Sequence, residues 1–365
     1  MINNSFIKLL SNLVEEVIKF NYPTDKLLSN FFRNNKKIGS TERALIAETV
    51  YAILRNYYKI TAVVENPRNP LMLIALTWER ILKVDSNITR NVRILKGVNV
   101  ACGTFKDDIK SITEFPDWIL TLLKPSFTQD EIINLAKYFQ EQAPLDLRVN
   151  ILKKDVESVF SGLKNEGLDP KCTNYSPYAI RLMNKSFLAK HKLFMEGVIE
   201  VQDESSQLAG MLLSPRRGEM VVDFCAGSGG KTLLLGMLMR NTGRIYAFDI
   251  NEKRLNNMAP RLSRSGLSNV YPQLIANEND VKVKRLDGKI DKVFIDAPCS
   301  GLGTLRRNPE LKFRQHPESI AQLNAIQLSI LNSASRLLKV GGFMVYATCS
   351  ILKEENQEIV NQFLC

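Results

Sequence analysis

Histidine is nearly missing: 365 residues hold only His191 and His316, far apart and with no cysteine beside either. That scarcity argues against His-rich zinc sites and against Ser-His-Asp hydrolysis. Close cysteine pairs are missing too. The six thiols are Cys102, Cys172, Cys225, Cys299, Cys349 and Cys365, and the nearest two stand sixteen positions apart (365 − 349), so no Cys-x-x-Cys metal or redox motif exists. Outside a secretory context such thiols are expected to be reduced and cytoplasmic. No apolar run approaches the ~18 residues of a membrane span, and the longest candidate is the stretch around Leu233–Met239. Lys8, Glu15, Glu16 and Lys19 interrupt the apolar pattern of the first twenty residues, which breaks any signal-peptide core. Residues 1–200 show no fixed-period repeat and no low-complexity tract. A monomer without metal or membrane partner is expected.

What is present is a folded, basic chain. Its composition is 45% hydrophobic and 24% charged, and its length suits two to three domains. Forty-nine Lys and Arg stand against 38 Asp and Glu, a net charge of +11. Such an excess favours a polyanionic partner, because basic side chains set against phosphates release condensed counterions. A basic surface kept only for solubility is the plainer alternative.

The first third reads helical. Phe6, Leu9, Leu10, Leu13, Val14, Val17 and Ile18 form one apolar stripe at three- and four-residue spacing. A second helix is predicted over Ser40–Lys59, capped by Ser40 or Thr41, and others over Leu71–Val84 and Asn91–Cys102. Residues 1–130 are thus an all-α domain. From Ala143 the pattern mixes strand candidates (Leu145–Leu152, Ala179–Met183, Gly197–Val201) with a helix over Asp155–Asn165, giving a connector and small α/β module over 131–200. From residue 201 to 365 strands alternate with helices: Glu219–Phe224, Arg244–Ile250, Val270–Ile275 and Ile290–Ile295, then a helix over Ser319–Leu338 that leads through Gly341-Gly342 into Phe343–Thr348. That alternation predicts an α/β fold with a parallel sheet between helices. Ligands then bind beyond the carboxyl ends of the strands, where strand order reverses.

Asp223-Phe224-Cys225-Ala226-Gly227-Ser228-Gly229-Gly230-Lys231-Thr232 joins the first of these strands to its helix. Three glycines allow a sharp turn and close ligand approach, and the helix N-terminus behind them favours a negative group. Asp249, 22 residues beyond Gly227 at the end of the next strand, suits a ribose diol. A nucleoside-bearing cofactor is the leading reading; the alternative is a turn demanded by strand-to-helix packing alone. Gly230-Lys231-Thr232 with Val293-Phe294-Ile295-Asp296 also mimics a P-loop nucleotidase. That pattern requires glycine five positions before Gly230, where Cys225 stands, and it leaves Asp249 without a role.

Two more strand ends carry a cysteine: Asp296-Ala297-Pro298-Cys299-Ser300-Gly301 and Ala347-Thr348-Cys349-Ser350. Cys102, Cys172 and Cys225 are read as buried structural thiols, since unmodified cysteine packs as a small hydrophobe. Cys299 and Cys349 differ because both fall on the same rim of the sheet as the glycine loop. One chemistry requires that arrangement. Carbon 5 of cytosine is too weak a nucleophile to accept a methyl group unaided. A thiolate added to carbon 6 makes carbon 5 enamine-like, able to attack a sulfonium methyl, and the thiol leaves once carbon 5 loses its proton. An acid such as Asp296 would bond the ring nitrogen and exocyclic amine as the adduct forms. The base would have to leave its stack to react.

With these residues in view, the chain resembles the bacterial RNA cytosine-5 methyltransferases of the Sun/Fmu type. The carrying segments are Asp223–Thr232, Asp249, Asp296–Gly303 with Arg306-Arg307-Asn308-Pro309-Glu310-Leu311-Lys312, and Tyr346–Ser350 with Glu354-Glu355-Asn356. Phe115-Pro116-Asp117-Trp118 and Ala143–Asn150 resemble the family's middle region. The resemblance implies a Rossmann-like methyltransferase domain preceded by a NusB-like RNA-binding domain. It implies S-adenosyl-L-methionine as donor, Cys349 as nucleophile and Cys299 as the thiol that assists product release, with Asp296 and Lys231 completing the catalytic set. Cys225, Ala226, Gly227, Ser228, Gly229, Gly230, Lys231, Asp249, Asn277 and Asp296 would hold the cofactor, Asn277 standing where the family carries an acid. Arg306, Arg307 and Lys312 would meet RNA phosphates, or else form a solvated basic face. The implied substrate is RNA, small-subunit ribosomal RNA first. The competing reading is a non-catalytic RNA-binding or ribosome-assembly protein on the same scaffold.

Overall fold

The computed structural model describes residues 2–64, 66–85, 105–183 and 188–365. The chain forms two compact units, and neither is continuous in sequence. One joins the chain through Gln142 to Ser300–Ile320 and Cys349–Lys353; the other comprises Ala143–Cys299, Ala321–Thr348 and Glu354–Cys365.

Among the described residues up to Gln142 every regular element is helical. The first helix, Asn4–Val17, starts where the Asn3 side chain accepts the Phe6 amide, and it buries Phe6, Ile7, Leu10, Leu13, Val14 and Val17. These pack with Ile46, Val50, Ile53, Leu73 and Trp78 in one core. Ser40–Lys59 is not one helix. It ends at Arg55, where the Asn56 side chain bonds the Ala52 carbonyl, and a short helix, Tyr57–Thr61, restarts with its first amides held by Glu114. Its cap is Gly39 rather than Ser40 or Thr41, with Glu42 accepting the Gly39 amide. The predicted Leu71–Val84 helix begins at Pro70, and after Leu76 it widens into a π turn over Thr77–Ile81. There Trp78 Nε1 donates to Thr49 Oγ1 at 2.7 Å. The helix expected over 91–102 lies outside the described residues. An unpredicted helix, Thr24–Asn34, has its first amide capped by Glu310 at 2.9 Å, 286 positions away, a partner no local pattern announces.

A second core in this unit gathers Phe115, Ile119, Leu123 and Ile132 with Leu302, Leu305, Ile320 and Leu352. The segments following two strands of the other unit are therefore apolar-anchored among helices. Phe313 stacks on Phe20 with centroids 4.4 Å apart and meets Tyr57 edge-on.

Among its described residues the second unit holds two sheets. Strands β1 (Leu145–Val149), β2 (Pro170–Cys172), β3 (Ala179–Leu182) and β4 (Ile199–Val201) form an antiparallel sheet in the order β2-β3-β1-β4. β1 stops at Val149, short of the predicted Leu152, because Asn150 turns the chain and its side chain accepts the Leu152 amide. Strands β5 (Met220–Phe224), β6 (Arg244–Asp249), β7 (Val270–Leu274), β8 (Ile290–Asp296) and β9 (Leu338–Ala347) form a wholly parallel sheet in the order β7-β6-β5-β8-β9. Strand alternation divides its core. Val222, Phe224, Val293 and Ile295 face one helical layer, and Val221, Ile245 and Phe294 the other. Strand order reverses between β5 and β8, so the switch point lies above their carboxyl ends.

The last helix–strand junction differs from the prediction. The helix ends at Ser335, and β9 begins at Leu338 and runs through Gly341-Gly342. Register jumps from Ile290↔Leu338 to Lys292↔Phe343, and Gly341 has φ +79°, so the glycines form a bulge within the strand instead of a turn before it. Among the described residues no helix is long and apolar enough to cross a membrane, and no group of three or more His, Cys, Asp or Glu could hold a metal ion.

Candidate active site

Five strand ends of the parallel sheet present the residues singled out by sequence. The chain leaves β5 through Cys225 and Gly227, both at positive φ (+65° and +59°), and enters the helix Gly230–Leu238 after Gly229 at φ +84°. A Cβ on Gly229 would sit 2.5 Å from Met258 Cγ, so both conformation and space require glycine there. Gly227 differs: nothing lies within 4 Å of a Cβ built on it, leaving that part of the loop open to an approaching group. Its amide donates to Asp249 Oδ2 at 2.8 Å, while Asn251 N donates to Oδ1 at 2.7 Å. Asp249, the last residue of β6, is thus fixed by two backbone amides, and further lone pairs on its carboxylate can accept from a diol. Asn277 follows β7 on an exposed turn, its Oδ1 accepting the Asn279 amide at 2.9 Å.

Beneath the loop, Asp223 is fully buried and its Oδ2 accepts the Thr232 hydroxyl at 2.5 Å. Burial pushes its carboxyl up to about 7, against the Thr232 bond. Burial, aided by the Asp249 charge, also pushes the Cys225 thiol well above its usual range, which keeps it protonated and unsuited to nucleophilic work. Lys231 Nζ meets Asp296 Oδ2 at 2.7 Å, joining the start of the helix to the end of β8. This pair is part-exposed, so it remains accessible to a ligand.

The two cysteine-bearing turns are pinned where they leave the sheet. Asp296 pairs in register with Ala347, and the Ala297 amide donates to the Ala347 carbonyl at 2.9 Å. Ser300, next after Cys299, donates from its hydroxyl to that of Ser350, next after Cys349, at 3.2 Å. The Gly303 amide donates to the Cys349 carbonyl at 2.8 Å, and a Cβ on Gly303 would stand 2.8 Å from that oxygen. Only glycine lets the backbones approach this closely. Cys349 itself is exposed and Cys299 half-buried. Cys172, expected in the interior, is exposed at the end of the short strand β2, and Cys102 lies outside the described residues.

The basic run after Cys299 is not a solvated phosphate-binding face throughout. Lys312 is 4% exposed, 3.6 Å from Glu114, and burial lowers it to about 8. Arg306 is tied to Glu141 Oε2 at 2.8 Å and to the Gln142 carbonyl. Arg306 stays partly exposed, whereas Lys312 is committed to the interior of the helical unit, and sequence, which reports charge without burial, could not separate it from surface cations. Sequence reasoning also passed over Arg148 on β1. Leu147 and Val149 occupy one face of that strand, and Asp146 and Arg148 alternate with them yet are equally buried. Burial lowers the Arg148 guanidinium to about 10.

Comparison with known proteins agrees with this geometry. Residues 210–365 match the family model described as 16S rRNA methyltransferase RsmB/F, and residues 115–187 match the ferredoxin-like domain of RsmF/B-like methyltransferases. A probable ribosomal RNA small subunit methyltransferase B from Synechocystis sp. is 36% identical over 68% of this chain and 56% of its own length. One of the same name from Coxiella burnetii is 28% identical over 96% of this chain and 88% of its own. The chain therefore spans little more than half of some curated relatives and most of others. The crystal structure of PH0851 superposes with a TM-score of 0.81 at 25% identity, covering 98% of this chain and 89% of that one. A Rossmann-like parallel sheet, a glycine loop between β5 and its helix, and two family models matched in the expected order lead to one assignment: the chain belongs to the RsmB/F family of methyltransferases, the Sun/Fmu type.

Proposed function

We propose that this chain methylates carbon 5 of cytosine in RNA, small-subunit ribosomal RNA in the first instance, from S-adenosyl-L-methionine and through a transient bond to Cys349. The observation that carries the proposal is the setting of Cys349. It is an exposed thiol two residues past Ala347, the register partner of Asp296, with its own carbonyl held by Gly303. The residues fit the cofactor: Asp249 offers a carboxylate for a ribose diol, and the open space over Gly227 and the amides opening the Gly230–Leu238 helix suit an aminocarboxylate. In this reading Cys225, Ala226, Ser228, Gly229, Gly230, Lys231, Asn277 and Asp296 complete that binding surface. When bound, the cofactor supplies a sulfonium-activated methyl group.

The chain's own residues do the remaining work. Cys349 Sγ, as thiolate, adds to carbon 6 and loads electron density onto carbon 5. Asp296, held by Lys231 at 2.7 Å, bonds the ring nitrogen and exocyclic amine as charge develops. Cys299, three residues past Asp296, assists release once carbon 5 has given up its proton. A cytoplasmic, monomeric protein belongs to the same reading, as do RNA contacts by Arg307.

Two measurements test it. Isothermal titration should show S-adenosyl-L-methionine binding to the wild-type chain; no binding at millimolar cofactor returns the protein to the non-catalytic RNA-binding alternative. Bisulfite sequencing of ribosomal RNA should show a cytosine protected by the wild-type chain and unprotected with Cys349→Ser. Protection that persists in Cys349→Ser would remove the assigned nucleophile.

A further inference from the structure

The antiparallel sheet contributes no reacting group to this scheme, yet it reaches the glycine loop. Arg148 on β1, 3% exposed, donates from Nη1 to the Gly230 carbonyl at 2.8 Å and to Gln202 Oε1 at 2.5 Å. Gln202 is itself held, its amide donating to the Asp146 carbonyl and its carbonyl accepting from Gln207 Nε2. A second guanidinium comes from the helix Glu252–Ser265. Arg261 Nη1 donates to the Ser228 carbonyl at 2.7 Å, and its Nε donates to Glu200 Oε2, on β4, at 3.2 Å. Two carbonyls of one short loop are thus gripped by two cations, both backed by the antiparallel sheet.

A purely structural role explains this poorly. Burying a guanidinium is expensive, and apolar side chains of similar volume often fill such a place with no loss of stability. The hydrogen bonds of Arg148 go to neutral oxygens, one of them on the loop. Because a peptide unit is planar and trans, a carbonyl fixed in direction also fixes the amide that follows it. Holding the Gly230 carbonyl therefore sets the Lys231 amide at the mouth of the helix, and holding the Ser228 carbonyl supports the Gly229 amide in its own bond across the loop, to the Ala226 carbonyl at 3.0 Å. We propose that Arg148 and Arg261 are positioning residues for the cofactor loop, and that β1 and β4 serve the parallel sheet as its preorganising scaffold. The inference rests on reading Cys225–Lys231 as the S-adenosyl-L-methionine loop.

Arg264 supplies the control. It shares Glu200 with Arg261, at 3.4 Å, and lies over the Phe194 ring, with no bond to the loop among those described. S-adenosyl-L-methionine and S-adenosyl-L-homocysteine would be titrated calorimetrically into the full chain and into Arg148→Lys, Arg261→Gln and Arg264→Gln, with thermal melts run in parallel. Arg261→Gln and Arg148→Lys should each weaken both ligands about tenfold, the equivalent of one lost charge-assisted bond. At saturating cofactor, kcat and the KM for RNA should stay within about twofold of wild type, the division expected when only loop preorganisation is lost. Arg264→Gln should bind as wild type does. Should Arg148→Lys fail to fold, Arg261→Gln still decides the matter. Unchanged affinity in Arg261→Gln, or an equal loss in Arg264→Gln, overturns the brace alone. Absence of binding in the wild-type chain overturns the cofactor reading beneath it.

Discussion

A carboxyl group buried at the end of β5 gives the protein a pH signature. Asp223 is fully buried, its Oδ2 accepts the Thr232 hydroxyl, and its Oδ1 has no hydrogen-bond partner. Burial lifts it to about 7, whereas an unfolded chain ionises its aspartates near pH ~4. Between those values the folded state holds a proton that the unfolded state has released, so stability falls as pH rises through the window. Asp223→Asn keeps the shape and loses the titration. Urea melts at pH 5 and pH 7.5 should show wild type losing stability at up to about 1.4 kcal/mol per pH unit, and the variant losing clearly less. Parallel losses would place the titrating group elsewhere. At this scale the sequence was a good guide to the glycine loop, Asp249, Asp296 and the two cysteine-bearing turns, because each sits at a strand end that periodicity could locate. It misread Lys312 and passed over Arg148, since a cation's letter does not say whether its side chain is solvated.

Elements in this chain owe their ends to distant partners. The helix Tyr57–Thr61 starts on the carboxylate of Glu114, which takes the Tyr58 and Lys59 amides at 2.8 Å each and also faces Lys312. Burial raises this carboxyl, while the Lys312 charge and the two amides act against that shift. Glu114→Ala removes a cap and strands a buried cation, so it should cost about 3–5 kcal/mol of unfolding free energy in urea. The double variant Glu114→Gln, Lys312→Met should recover much of that loss, because the amide oxygen can still accept a backbone bond while the unpaired charge is gone. A double variant no better than Glu114→Ala would contradict the attribution of that loss to the stranded Lys312 charge. The same dependence on remote partners explains the boundaries that sequence placed differently. Nothing between Ser40 and Lys59 announces a break at Asn56, and the break is fixed by Glu114, more than fifty residues on. The bulge at Gly341-Gly342 arises likewise, from the register that β9 must keep with β8.

At the scale of the whole molecule, the two compact units exchange segments along the chain. Leu302, Leu305, Ile320 and Leu352 belong to the helical unit's second core, although they lie among the strands of the parallel sheet in sequence. Residues 1–142 expressed alone should therefore be much less cooperative in thermal unfolding than the full chain. In the full chain Leu305→Ala should cost about 2–5 kcal/mol, the usual loss for a buried leucine. A fragment that melts as sharply as the complete protein would contradict this account. Hydrophobic periodicity separated the helical first third from the alternating strands and helices of the last, but it carries no information about contacts made across 150 or more residues. The central claim concerns a single sulfur atom. Cys299→Ala incubated with S-adenosyl-L-methionine and small-subunit ribosomal RNA should accumulate a protein–RNA adduct stable to denaturant. Nuclease and protease digestion followed by mass spectrometry should find a methylated cytidine attached to the peptide bearing Cys349, and the Cys349→Ala, Cys299→Ala double variant should give none. An adduct at another residue, or none from a Cys299→Ala protein that still binds the cofactor, would contradict the account.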